Sequence, residues 1–327
     1  MTAQPSDSPA RAGRRERYSR VARSVGSAIG GPVERRIERY LLQRAWVGTK
    51  PKRLGRYLVG GFQNPAINVQ SILARHELIR EVDGGSHDDL MDEELRWAVE
   101  KQRTLVERKR DLPVEHGVDF KEIKRSGIWR ATCEEIMTDQ DRFAVAWAEA
   151  LPAEPARRLS VIEPACGSAN DYRYLDSYGI APLLSYTGFD LTQTNITNAL
   201  RMFPDIDFRV GDVQNIEAAD NSYDWAVVHD LLEHLSPSAF NRAIDELCRV
   251  TRRGVMISFF YMLDTPDHNI LPKRTYHFNE LSKDRTGERF ARHCSDVQWM
   301  HIRPMLADRY GFGDYYNERA WTMIARH

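Results

Sequence analysis

Six residues, His229-Asp230-Leu231-Leu232-Glu233-His234, carry four polar side chains able to ligate or to move a proton. If they form a helical turn, Asp230, Glu233 and His234 stand at i, i+3 and i+4 and share one face. Two carboxylates and an imidazole suit a divalent ion such as Mg²⁺ or Mn²⁺ that keeps open positions for substrate oxygens. A hydroxyl is a poor nucleophile near neutral pH, so either a bound cation or a base would have to activate it. His234 or His229 is the base if it is not a ligand. Upstream, Ala165-Cys166-Gly167-Ser168-Ala169 is a run of small residues that lets a backbone approach a ligand closely. Asp190, after Gly188-Phe189, can accept two hydrogen bonds from ribose hydroxyls, and Asp212, after Gly211, can accept one from an exocyclic amine.

These residues need strands to place them. Leu159–Ile162, Leu184–Phe189, Phe208–Val210, Tyr223–Val228 and Gly254–Tyr261 read as buried strands, and helical stretches alternate with them. Two more strands are expected at 297–302 and 320–325. Strand and helix in alternation imply a parallel doubly wound sheet, whose ligands bind beyond the carboxyl ends of its strands. Ser236-Pro237 reads as a helix start, with Ser as cap and Pro at the first helical position, and the helix is expected to run to about Arg252. Ahead of the sheet, helices are expected at 66–82, at 88–110 (ended by Pro113) and at 129–151.

From about residue 129 to 327 the sequence resembles the class I S-adenosylmethionine-dependent methyltransferases. Glu163-Pro164-Ala165-Cys166-Gly167-Ser168-Ala169 looks like the acid-x-Gly-x-Gly-x-Gly motif of that family, with alanine at two of the glycine positions. The resemblance implies an α/β Rossmann-like fold, a doubly wound seven-stranded sheet with an antiparallel last strand, here preceded by an α-helical N-terminal region. It implies S-adenosylmethionine as cofactor, lined by Glu163, Ala165, Cys166, Gly167, Asp190, Leu191, Asp212, Val213 and His229. Asp230-x-x-Glu233-His234 also resembles the Glu-x-x-Glu-His element of metal-dependent O-methyltransferases, with Asp in place of the first Glu. That likeness implies a metal held by Asp230, Glu233, His234 and a distant histidine, His277 or His268. It implies catalytic roles for His229, Asp230, His234 and His277. A nicotinamide dehydrogenase would want Gly-x-Gly-x-x-Gly after the first strand, and residues 163–170 hold only Gly167.

The remaining features bear on acceptor and setting. Residues 1–60 hold 14 Lys and Arg against 4 Asp and Glu, whereas residues 61–327 hold 32 against 43. A basic arm at 1–60, a helical cap or substrate region at 61–128 and a methyltransferase domain at 129–327 are therefore expected. Within the arm, amphipathic stretches from Tyr18 to Ile29 and from Val33 to Leu41 suit an anionic membrane surface or a nucleic-acid backbone. Residues 262–296 mix His268, Lys273, Arg274, Tyr276, His277, Lys283, Arg285, Arg289, Arg292 and His293, which reads as a basic, hydrogen-bonding wall. Such a wall suits a sugar, a glycan or another hydroxylated small molecule. N-methylation, RNA 2′-O-methylation and a non-catalytic cofactor-binding partner are the other readings. The longest apolar run, Ile257–Leu263, is too short to span a bilayer. Four dispersed cysteines point to a reducing cytoplasm, with peripheral contact at the inner membrane face through the arm.

Overall fold

The computed structural model describes residues 61–327 except 153, 154, 156 and 275. The basic arm and its two expected helices lie outside the described residues. Residues 61–327 fall in one compact unit. In chain order the helices are α1 (Val69–Asp83), α2 (Asp88–His116), α3 (Phe120–Ser126), α4 (Ile128–Ile136), α5 (Arg142–Ala150), α6 (Tyr172–Ser177), α7 (Gln193–Met202), α8 (Pro237–Val250), α9 (Lys283–Phe290) and α10 (Ile302–Tyr310). The strands are β1 (Leu159–Pro164), β2 (Leu184–Asp190), β3 (Asp207–Val210), β4 (Tyr223–His229), β5 (Thr251–Phe259), β6 (Met262–Leu263), β7 (Leu281–Ser282), β8 (Asp296–His301) and β9 (Trp321–Arg326). No helix among the described residues is long and apolar enough to cross a membrane.

Seven strands form one sheet in the order β3-β2-β1-β4-β5-β9-β8. β1 to β5 pair in parallel, and β9 runs antiparallel to both of its neighbours. This is the expected Rossmann-like sheet. Successive side chains on a strand point to opposite faces, so a strand covered on both sides must be apolar throughout. β4 shows it: Trp225 and Val227 enter one apolar cluster, Ala226 and Val228 the other. The first cluster is roofed by α1, α2 and α5, the second by α8. The chain reverses its progress across the sheet between β1 and β4, which opens a crevice at their carboxyl ends.

Three helical expectations change. α2 runs through Pro113 to His116, because a proline in the last turn removes little of the ladder and Gly117, at φ +64°, supplies the left-handed cap. The helix expected over 129–151 breaks in two, since Asp139 is drawn to α2 by Trp97 Nε1 at 2.9 Å and Lys101 Nζ at 2.6 Å. β5 begins at Thr251, where a helix was expected to continue to Arg252. α1 starts where Asn68 accepts the Ser71 N–H, and α8 where Ser236 accepts that of Ala239, with Pro237 first in the helix as expected.

Candidate active site

β1 delivers its chain into a loop of unusual backbone. Ala165, Gly167 and Ala169 all adopt left-handed φ, at +56°, +57° and +59°. Glycine does this freely, whereas each alanine costs about 1–2 kcal/mol. The alternation turns the backbone back on itself, and a Cβ at Gly167 would lie 2.6 Å from Asn170 Nδ2, so that side chain would have to move. Strain of this kind gathers where a loop is shaped for a ligand. Asp190, at the end of β2, clasps the loop: its Oδ2 accepts the Gly167 N–H at 3.1 Å, and its Oδ1 accepts from Thr192 N and Asn195 Nδ2. Beside it Leu191 is 73% exposed, an apolar side chain laid bare next to a carboxylate. Asp212 is half-buried and accepts the Gln214 N–H at 2.9 Å; Val213 is buried in the cluster that holds Phe189.

Two members of the expected cofactor set turn inward. Cys166 is buried, its N–H donates to Phe189 O, and burial pushes its thiol up, so only its backbone faces the loop side. Glu163 is buried and hydrogen-bonded by the Tyr186 hydroxyl; burial, and then the charge of Asp171, hold its carboxyl well above the usual range.

The adjacent strand end is made of side chains. Asp230 follows β4 at φ +49°, and its N–H donates to Ser258 O. Leu232–His234 then form a single 3-10 turn, so the one-face arrangement expected of an α-helix does not arise. Asp230 and His234 do meet, with Oδ1 3.3 Å from Nε2, while His234 Nδ1 donates to His277 O at 3.1 Å. The hydrogen bond to Asp230 pushes the imidazole up. Glu233 points the other way. It is 1% exposed, its Oε1 accepts the Phe260 N–H at 3.0 Å, and its Oε2 has no partner among the described residues. Burial, then the neighbouring Asp230 charge, push it up to about 7.

The expected metal set is therefore dispersed, and no group of three ligating side chains suited to a metal exists among the described residues. His277 reaches His234 through its backbone, since its N–H also donates to His234 O. His268 is spent elsewhere: its Nδ1 accepts the Ser282 N–H and its ring meets the edge of Phe240. His229 is half-buried at the end of β4, beside Ser258 of β5.

The 262–296 segment also differs from the expected basic wall. Lys283 pairs with Asp264, Arg285 with Asp267 and Glu288, and Arg289 with Asp245, so much of its positive charge is neutralised locally. What it brings to His234 is aromatic: Tyr276 and Phe278 lie 5.8 and 5.7 Å from the imidazole, and Tyr261 lies 5.0 Å from Phe278. Asn279 fastens this strap, donating from its backbone to Glu233 O and from Nδ2 to Leu235 O. The signal lay in the sequence as period-two alternation, rings at 276 and 278 and polar side chains at 277 and 279.

Residues 161–254 match the methyltransferase domain family. No curated protein matches the sequence. Among solved structures, an S-adenosylmethionine-dependent methyltransferase from Mesorhizobium loti is similar at 15% identity, over 56% of this chain and 96% of its own, with a TM-score of 0.41. The Burkholderia thailandensis 1,6-didemethyltoxoflavin-N1-methyltransferase, solved with 1,6-didemethyltoxoflavin and S-adenosylhomocysteine, shares 16% identity over 57% of this chain and 76% of its own, at 0.39. A Methanosarcina mazei S-adenosylmethionine-dependent methyltransferase shares 14% over 52% and 92%, at 0.41. The family match spans β1 to β4 and the start of β5.

Proposed function

We propose that this chain is an S-adenosylmethionine-dependent methyltransferase that methylates a hydroxyl on a polar, ring-shaped small molecule such as a sugar or a glycan unit, without help from Mg²⁺ or Mn²⁺. The observation that carries this reading is the Asp230–His234 pair at 3.3 Å, framed by Tyr276 and Phe278 at the carboxyl edge of the sheet. Aromatic faces suit the C–H face of a sugar ring, while the ionic pair suits its hydroxyls.

The cofactor half fits a nucleoside by its own features: a left-handed loop of small residues at 165, 167 and 169, a carboxylate at Asp190 for ribose, bare Leu191 for a base and Asp212 for its amine. When bound, S-adenosylmethionine supplies a methyl group on a sulfonium, already a good electrophile. The chain's task is then to orient the hydroxyl and remove its proton. His234 Nε2 takes that proton, the Asp230 carboxylate neutralises the resulting imidazolium, and Nδ1 keeps the ring on His277 O. Glu233, bound to the Phe260 N–H behind the turn, is a carboxyl whose proton answers to the charge of Asp230. Metal assistance is disfavoured by the inward turn of Glu233, which takes the second carboxylate out of the set.

The test is incubation of the purified chain with labelled S-adenosylmethionine and fractionated extract, with and without chelator. Label is expected in neutral, hydroxyl-rich fractions at a rate unchanged by EDTA. Label found only on amines, or turnover that stops with EDTA and returns with Mg²⁺, overturns the reading.

A further inference from the structure

Four cysteines stand far apart in the sequence, all of them free, and the fold brings two of them together. The end of α9 is fastened along α8: Arg289 pairs with Asp245, and His293 Nε2 lies 2.8 Å from the same Asp245 Oδ1. Asp245 and Cys248 stand at i and i+3 on α8 and share a face, while His293 and Cys294 are neighbours in the turn after α9. One helical turn beyond the ion pair, Cys248 therefore meets Cys294, and its thiol donates a hydrogen bond to the Cys294 sulfur. Both side chains belong to the apolar cluster that α8 covers.

The ring of His327 closes the group from the other side. Thr251 gives its own hydroxyl proton to Leu247 O at 2.8 Å, so it accepts from His327 Nε2, 3.1 Å away. His327 Nδ1 lies 3.1 Å from His293 O, which can only accept, and 3.9 Å from Cys294 Sγ. The imidazole thus turns a donor toward the Cys294 sulfur, as the Cys248 thiol does. Donors on both sides favour sulfur as thiolate. The four cysteines divide accordingly. Burial pushes the Cys133 thiol up to about 12 and the Cys166 thiol up as well, whereas the hydrogen bond from Cys248 pushes Cys294 down. Cys294 is 6% exposed, between the exposed residues His293 and Ser295, so a small oxidant has a short path to it. A buried cysteine without such partners is packing; a thiolate near the surface with a second thiol in contact is the arrangement of a redox pair.

We propose that Cys248 and Cys294 are a reactive dithiol, which hydrogen peroxide converts into a disulfide joining α8 to the turn after α9. The Cys294 thiolate attacks one peroxide oxygen: an S–O bond forms, the O–O bond breaks, and the departing hydroxide takes a proton from solvent. The Cys248 sulfur then attacks the Cys294 sulfur. An S–S bond forms, the S–O bond breaks, and the hydroxyl leaves with the Cys248 proton as a second water. Two thiols lose two electrons and the peroxide gains them. Cys294 lies outside helix and strand, so the turn can supply the small movement that closure needs. Thr251 opens β5, which places the pair at the edge of the sheet opposite the turn after β4, and the proposal does not rest on the methyl-transfer reading.

The test is peptide mapping of the full chain after brief exposure to hydrogen peroxide, alkylation of the remaining thiols in denaturant and digestion without reductant. One cross-link between the Cys248 and Cys294 peptides is expected, reversed by dithiothreitol, with Cys133 and Cys166 still alkylated. Cys248→Ser should leave Cys294 as a sulfenic acid that dimedone traps, and Cys294→Ser should leave Cys248 a thiol. Three results would each overturn the proposal: oxidation of all four cysteines alike, a wild-type chain that keeps both thiols while glutathione in a parallel tube is oxidised, or a dimedone adduct on Cys248 in the Cys294→Ser chain. The wild-type cross-link needs neither a variant nor turnover, so loss of methyl transfer in another assay leaves these outcomes untouched.

Discussion

Two glutamates in this chain are equally buried and behave in opposite ways. Glu94, on α2, is 0% exposed and held down to about 2; Glu233, after β4, is 1% exposed and pushed up to about 7. Desolvation raises both, so burial alone does not decide the outcome. Partners do. Arg75 donates to Glu94 Oε1 at 2.8 Å, while His76 and the Trp147 indole N–H reach Oε2 at 2.7 Å. Arg75 also lies 4.4 Å over the Tyr178 ring, so the cluster ties α1, α2 and α5 to the turn after α6. Glu233 has one backbone donor and a like charge, Asp230, nearby. A buried carboxylate met by several donors stays ionised, and one left with a single donor beside a like charge holds its proton.

The sharpest way to break that contrast is Glu94→Gln. It leaves Arg75 buried without a counter-charge and should cost about 3–5 kcal/mol in urea unfolding; a loss under about 1 kcal/mol would make the two glutamates alike. The pH sign follows from the depressed value. Stability from Glu94 is present above the ordinary 4.5 and is lost as pH falls toward about 2.

Asp230→Asn comes next. It removes the hydrogen-bonded charge that raises both His234 and Glu233, and methyl transfer should fall about 10²–10³-fold with cofactor affinity unchanged. Single-turnover rates beside calorimetry separate the two, and a rate within threefold of wild type would take the pair out of the chemistry.

Glu233→Gln tests the other side of the comparison. The folded state holds this proton to about pH 7 and the unfolded chain to 4.5, so stability should decline as pH rises between them. The variant should flatten that decline by about 1–2 kcal/mol, read from melting curves across pH 4.5–7.5. The smallest change tests backbone in place of charge. Ala165 is exposed at φ +56°, so Ala165→Gly should relieve strain without losing burial and stabilise the chain by about 1 kcal/mol.

Legibility follows the same division between backbone and side chain. The sheet could be read because a strand buried on both faces must be written in apolar residues, as Val161-Ile162 and Ala226-Val227-Val228 are. The loop after β1 could be read because left-handed backbone demands small residues at 165, 167 and 169. Helices α3, α9 and α10 escaped, being short segments whose weak apolar pattern gains its stability from packing. At the turn after β4, the four polar side chains were visible as a group, but their directions were not. Spacing predicted one shared face; a single 3-10 turn sent Glu233 inward to Phe260 N and left Asp230 with His234.

Local composition by itself thus determined the strand sequence, the tight loop and the acids at the strand ends, since each is a demand that neighbouring residues place on one backbone. Tertiary structure decided which of those side chains meet. Glu94 and Glu233 each became what they are through contacts with residues up to 53 positions away, Trp147 for the one and Phe260 for the other. His229, Ser258 and Thr322 likewise lie side by side only because register on three strands aligns them. No spacing along the chain encodes a meeting across strands; packing alone brings it about.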